Sequence, residues 1–179
     1  CEPAELNSTR HRMAKHYAEL GTEERIQHNQ TGGIHSHRMA MLEVPNMQSS
    51  FDWAMQHQHM ELAGRLSLAI AERLRRSGPY DDLTEMLRRV EVNLDADTLL
   101  LARIILARGR LARNREGLDT AQGLLLKAIS LADARGFVSV ATQARISLTY
   151  VTLRTNRLED AMQLAEAAPR LSASAQGSR

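Results

Sequence analysis

The stretch LDTAQGLLLKAISLA (118–132) decides the reading, because LEDAMQLAEAAPRLS (158–172) repeats its pattern forty residues later. Each opens with leucine, an acid, one polar residue and alanine, and each sets two alanines seven apart. Two more segments fall into the same register. Val44, Tyr80, Leu118 and Leu158 align, as do Met47, Leu83, Ala121 and Ala161. Phe51, Leu87, Leu125 and Ala165 follow, then Ala54, Val90, Ala128 and Ala168. Offsets of +3, +7 and +10 trace one face of a helix. The shifts between copies are 36, 38 and 40 residues, the differences of those first positions.

The segments preceding these helices align as well. Ala71, Gly109 and Thr149 coincide and are all small, while Leu66, Ile104 and Ala144 coincide just before them. A small residue at a helix crossing permits close approach, about 8–10 Å between axes. One helical hairpin cannot bury its apolar stripe alone, but stacked hairpins can. The expected fold is all-α, a right-handed superhelix of antiparallel helix pairs.

The rest of the chain reads as helices broken by short bends. Expected helices span about 4–20, 35–43, 45 onward, 60–77, 79–92, 97–113, 118–134, 138–154 and 156 onward. Pro45 and Pro79 suit first turns, and the acids Asp81 and Asp82 suit a helix start. Asp95–Thr98 offers caps, Gly136 a stop, and Asn156 with Glu159 a capping box. QHNQTGGIHS (27–36) reads as a polar connection. The domain reading is an opening helix and polar loop at 1–34, repeats at 35–172 and a fraying tail at 173–179. The repeat units fall near 35–58, 60–94, 97–135 and 138–172.

Composition narrows the function. The chain has 179 residues, 43% apolar and 25% charged, enough for one compact domain or repeat array. It holds one cysteine, Cys1, so no disulfide can form within it, and a cytoplasmic setting is expected. The first residue is not methionine, and the chain reads as a piece of a longer protein. No apolar run approaches a membrane span of about 20 residues. A net charge of +2 and 3% aromatic residues argue against direct nucleic-acid binding.

Gly109, Ala121, Leu125 and Ala128 resemble the tetratricopeptide repeat, in which small residues sit at matching places of a helix–turn–helix. The unit at 102–135 carries the pattern best. The longer period, the missing Trp and Tyr signature and the missing closing proline depart from it. A second resemblance rests on LEVPNMQSSFDWAMQHQHMELAGRLSLAIAERLRRSGPYDDLTEMLRRV (42–90). It is similar to the segment opening the helical-repeat region of STAND-type bacterial transcriptional regulators of the SARP and LuxR kinds. That resemblance implies a sensor or regulatory region, with an NTPase module elsewhere in the parent chain. No G-x-x-x-x-G-K-[ST] loop is present in these residues. A repeat scaffold for a protein kinase or cyclase regulator is the alternative.

Equivalent positions on the first helices place Arg65, Arg103 and Gln143 in one row, and Glu72, Arg110 and Tyr150 in a second. Arg75, Arg113 and Leu153 make a third, with Leu68, Leu106 and Ile146 between. The resemblance puts these rows on the inner curve of the stack. The expected binding groove is therefore Arg65, Leu68, Arg75, Arg103, Leu106, Arg110, Arg113 and Tyr150. Guanidinium forks pair with carboxylate or phosphate, so the expected partner is a protein, a peptide or an anionic small effector.

Enzymatic readings find little support, and no cofactor is expected. Arg10 and His16 in RHRMAKH (10–16) resemble the Arg–His pair of some helical ribonucleases, on two letters only. All seven histidines lie in the first sixty residues. His57 and His59, two apart, would point about 200° apart on a helix, and the histidines read as solvated surface groups rather than metal ligands.

Overall fold

A computed structural model describes residues 4–30, 41–75, 77–115, 117–155 and 162. The regular elements among the described residues are all helices, with no strand. They are α1 (Ala4–Glu19), α2 (Glu23–Gln30), α3 (Val44–Gln56), α4 (Met60–Leu74), α5 (Tyr80–Glu91), α6 (Leu99–Arg115), α7 (Leu118–Arg135) and α8 (Val138–Arg154). The expected helices at 35–43 and from 156 fall largely outside the described residues. So do Leu158, Ala161, Ala165, Ala168 and the Asn156–Glu159 box. The chain divides into two compact units, Cys1–Leu94 and Asp95–Arg179.

In the first unit α4 packs on α1, α3 and α5. It is accordingly apolar almost all round, burying Ala63, Leu66, Leu68, Ile70, Ala71 and Leu74. Each buried leucine or isoleucine adds about 1.5–3 kcal/mol over its exposed state. α3 turns Met47, Phe51 and Ala54 inward, and α5 turns Leu83, Leu87 and Val90 inward. These are the +3, +7 and +10 positions of the repeat register. α1 meets α3 and α4 through Ala14 and Ala18, both buried, with Gly21 just beyond its end.

Three boundaries differ from the sequence reading. α2 takes Glu23–Gln30 into a helix, because two acids in its first turn favour the dipole and the Ile26 amide bonds the Thr22 carbonyl at 3.0 Å. α4 stops at Leu74, where the amides of Ser77 and Gly78 both return to the Leu74 carbonyl and Gly78 takes φ +76°. α6 starts at Leu99 after Thr98, whose hydroxyl accepts the Leu101 amide at 3.1 Å.

In the second unit α6, α7 and α8 pack pairwise. α7 buries Ala121, Leu125 and Ala128, the same three offsets again. Gly109 of α6 is buried against Leu125, and a β-carbon there would lie 2.9 Å from the leucine Cγ. The close approach of first and second helix thus falls on a leucine rather than on the facing alanine. Gly136 ends α7 in the left-handed region (φ 70°, ψ 25°), and the Phe137 amide caps the Ala132 carbonyl at 2.8 Å. No helix among the described residues is long and apolar enough to cross a membrane.

Candidate functional site

The eight groove residues divide between the two units, and each set is described within its own. On α4, Arg65 pairs with Glu61 at 2.5 Å and Arg75 with Glu72 at 3.4 Å. Leu68 is 5% exposed and serves the core. Arg73, two residues before Arg75, is also buried and donates Nη1 to the Ala69 carbonyl at 3.1 Å. Burial pulls its pKa down, against the opposing fields of Glu72 and Glu43.

On α6 and α8 the arrangement is more open. Arg110 reaches across to Ser147 Oγ and Gln143 Oε1, both at 3.1 Å. The Arg113 guanidinium lies 6.0 Å from the Tyr150 ring centroid, a cation–π distance. Tyr150 is 57% exposed, and Ile146 and Leu153 are each 46% exposed. These three lie at i, i+4 and i+7 of α8. Arg103 is half-buried. Leu106 is buried, whereas its expected row-mate Ile146 faces solvent. Leu106 and Ile146 therefore do not share an exposed row. Arg110 and Arg113 meet residues 33 to 37 positions on, one to two turns short of the 40-residue register.

The charge of the two helices is one-signed. α6 (LLLARIILARGRLARNR) and α8 (VSVATQARISLTYVTLR) carry Arg103, Arg108, Arg110, Arg113, Arg115, Arg145 and Arg154 and no acid. The neighbouring acids sit on α7 and the loop before α6. Asp133 takes Arg145 at 2.6 Å, and Asp97 takes Arg135.

The first unit holds a cluster that periodicity does not reveal. His11 of α1, Trp53 of α3 and His57 and His59 of the α3–α4 turn stack together. Ring centroids are 5.6 Å apart for His11–Trp53, 5.1 Å for His11–His59, 5.2 Å for Trp53–His59 and 4.6 Å for Trp53–His57. The helical 200° rule does not separate His57 from His59, because the chain reverses between them with Gln58 at φ 58°. The Trp53 indole donates to Asn7 Oδ1 at 2.9 Å, and His57 Nδ1 lies 2.9 Å from the Trp53 carbonyl. Among the described residues no group of three or more His, Cys, Asp or Glu is disposed to hold a metal ion.

Arg10 and His16, the ribonuclease pair, have different surroundings. Arg10 lines a cleft of about 310 Å³ with Asp52, Gln56, Ser50 and Trp53. The buried Ser50 hydroxyl has no hydrogen-bond partner among the described residues. His16 sets its ring edge-on to Tyr17 at 5.2 Å. Tyr17 donates to Glu43 Oε2 at 2.6 Å and Asn46 Nδ2 donates to the same oxygen at 3.0 Å. Those two donors hold the Glu43 carboxyl below its ordinary value, and the same bond raises the Tyr17 hydroxyl.

Comparison with known protein families, curated proteins and solved structures returns no match.

Proposed function

We propose that this chain is a binding module and not a catalyst. It is a tetratricopeptide-like stack of helix pairs, serving as the sensor or regulatory region of a STAND-type bacterial transcriptional regulator in the cytoplasm. The observation that carries the binding reading is that α6 and α8 contain no acid and expose Tyr150, Ile146 and Leu153 on the helix that Arg110 and Arg113 reach. Apolar groups at i, i+4 and i+7 offer anchor points to one face of a partner helix. The flanking arginines select for carboxylates or phosphates. In a switch protein, a ligand that prefers one arrangement of the parent shifts the balance by its differential affinity.

The experiment compares the unaltered chain with Arg113→Glu and Tyr150→Ala. Fluorescence anisotropy reads binding of an acidic amphipathic peptide carrying leucines at i, i+4 and i+7. Both substitutions should weaken binding tenfold or more while the helical circular dichroism stays constant. Equal binding by all three proteins discards the assignment of this face. A parent gene lacking an NTPase module discards the regulator reading while leaving the binding reading to stand.

A further inference from the structure

We infer that the cleft between α1 and α3 is a binding site for a small zwitterion, a free α-amino acid with an aliphatic side chain. The site lies wholly within the first unit and does not rest on the α6–α8 face.

The two helices run antiparallel past each other. The Trp53 indole donates to Asn7 at one end of their contact, and Tyr17 donates to Glu43 at the other. Between those two bonds α1 contributes Arg10 and Met13 to a cleft of about 310 Å³. That volume is at the low end for small-molecule sites, roughly 300–1,000 Å³. It suits a metabolite of amino-acid size rather than a nucleotide or a partner helix.

The charges on the two walls are opposite. Arg10 stands on the α1 wall and Asp52 on the α3 wall, with Gln56 one turn beyond Asp52. A guanidinium presents five donors in a planar fork that matches a carboxylate. The Asp52 carboxylate, in turn, accepts from an ammonium group. A ligand of one sign alone would leave one wall facing like charge, whereas a ligand carrying both signs satisfies both walls. The Gln56 amide serves either end, because it donates and accepts.

Ser50 adds an independent observation. It lines the cleft at 4% exposure, and its buried hydroxyl has no hydrogen-bond partner among the described residues. Helical hydroxyls commonly return to a carbonyl of the preceding turn. Ser67 does so to Gly64 at 2.8 Å, Ser147 to Gln143 at 2.8 Å and Thr152 to Leu148 at 3.1 Å. Ser50 does not, and a buried polar group left unpaired is destabilising. A ligand carboxylate held by Arg10 supplies the missing acceptor. Met13, unbranched and 40% exposed on the α1 wall, can turn aside to admit it.

The remaining surface selects the ligand's side chain. Trp53 has one polar atom, the indole N–H, and that is already spent on Asn7. Trp53 and Met13 therefore offer the cleft apolar surface, which favours an aliphatic group over a polar one.

The full chain carries one tryptophan, so Trp53 emission reports on the cleft. L-leucine is titrated into the full chain at neutral pH, with isothermal titration calorimetry alongside. The expected result is a saturable change, half-complete below about 1 mM. Isocaproate, which lacks the ammonium group, and isoamylamine, which lacks the carboxylate, should each bind at least tenfold more weakly. Arg10→Gln and Asp52→Asn should each weaken leucine binding tenfold or more while the helical circular dichroism stays constant. Ser50→Ala should act with opposite signs on fold and ligand. The free protein should melt higher by roughly 2–4 °C, because the unpaired hydroxyl is gone, and leucine binding should weaken at least threefold. No saturable response to leucine up to about 10 mM overturns the site. Equal binding of leucine and isocaproate overturns the zwitterion, as does unaltered affinity in Arg10→Gln and Asp52→Asn. A Ser50→Ala protein that melts lower and binds leucine as before overturns the role given to the hydroxyl.

Discussion

A β-carbon on Gly21 would lie 1.8 Å from the carbonyl oxygen of Arg65. The end of α1 therefore rests on bare backbone of α4, at a distance only glycine permits. Backbone cannot step aside as a flexible side chain can. Gly21→Ala should force α1 off α4 and cost about 3 kcal/mol, the upper part of the range for overpacking. Urea unfolding followed by Trp53 fluorescence measures it; a cost under about 1 kcal/mol contradicts the close approach. Gly123 of α7 is the internal control. It is exposed, with nothing near its β-carbon position, so Gly123→Ala should stabilise by about 0.5–1 kcal/mol through helix propensity alone.

Gly109 and Leu125 make a second pair with a different signature. Gly109→Ala pushes a β-carbon to 2.9 Å from Leu125 Cγ and Cδ2, and should cost about 1–3 kcal/mol. Leu125→Ala empties a buried site and should cost about 2–5 kcal/mol. The double variant places the new methyl in the vacated space. It should be more stable than the sum of the two costs predicts by about 1 kcal/mol or more. Strict additivity in thermal or urea unfolding contradicts the contact.

The Tyr17–Glu43 bond gives a pH-dependent contribution of known sign. Glu43 is held below its ordinary value mainly by the Tyr17 hydroxyl and the Asn46 amide, with smaller help from His16 and Arg73. Its stabilisation is present above the unfolded value near 4.5 and is lost as pH falls through the lowered folded value. In Tyr17→Phe the Glu43 carboxyl should titrate closer to the ordinary range. Carboxyl-carbon NMR chemical shifts followed from pH 7 to 2 read this directly; an unchanged Glu43 midpoint contradicts the assignment.

The α6–α8 face should show a salt dependence that the rest of the surface lacks. Raising ionic strength from about 0.05 to 0.5 M shortens the screening length from roughly 14 to 4 Å. Acidic-peptide binding should weaken severalfold over that range. Stopped-flow mixing should place most of the loss in the association rate. A salt-independent affinity contradicts the role given to the arginines.

Much of the helical layout was legible because burial follows a 3.6-residue period. Met47, Phe51 and Ala54, then Leu83, Leu87 and Val90, then Ala121, Leu125 and Ala128 were aligned on spacing alone, and all nine are buried. Glycine signals were legible too, since Gly136 caps α7 in the one region where glycine is favoured. Contacts governed by turn geometry were not. His57 and His59 were judged by a helical rule, and the left-handed Gln58 between them removed its premise. Nor does spacing reveal how many neighbours a helix has. Leu68 and Leu106 were placed in an open groove, yet both are buried, while Ile146 of the same row is exposed. α4 is enclosed by three helices, and that fact lives in tertiary packing rather than in the alignment. The helix at Glu23–Gln30 was passed over because Ile26 is its only apolar residue, so no apolar stripe announced it.

A formal charge of +2 over 179 residues describes an almost balanced molecule. Two helices without a single acid make that average misleading. The two helices concentrate arginine within the second unit, so that unit meets anions with more positive charge than the bulk figure suggests. On a cation-exchange resin the chain should elute later than its bulk charge implies, held by the same arginines that would first greet an acidic ligand in solution.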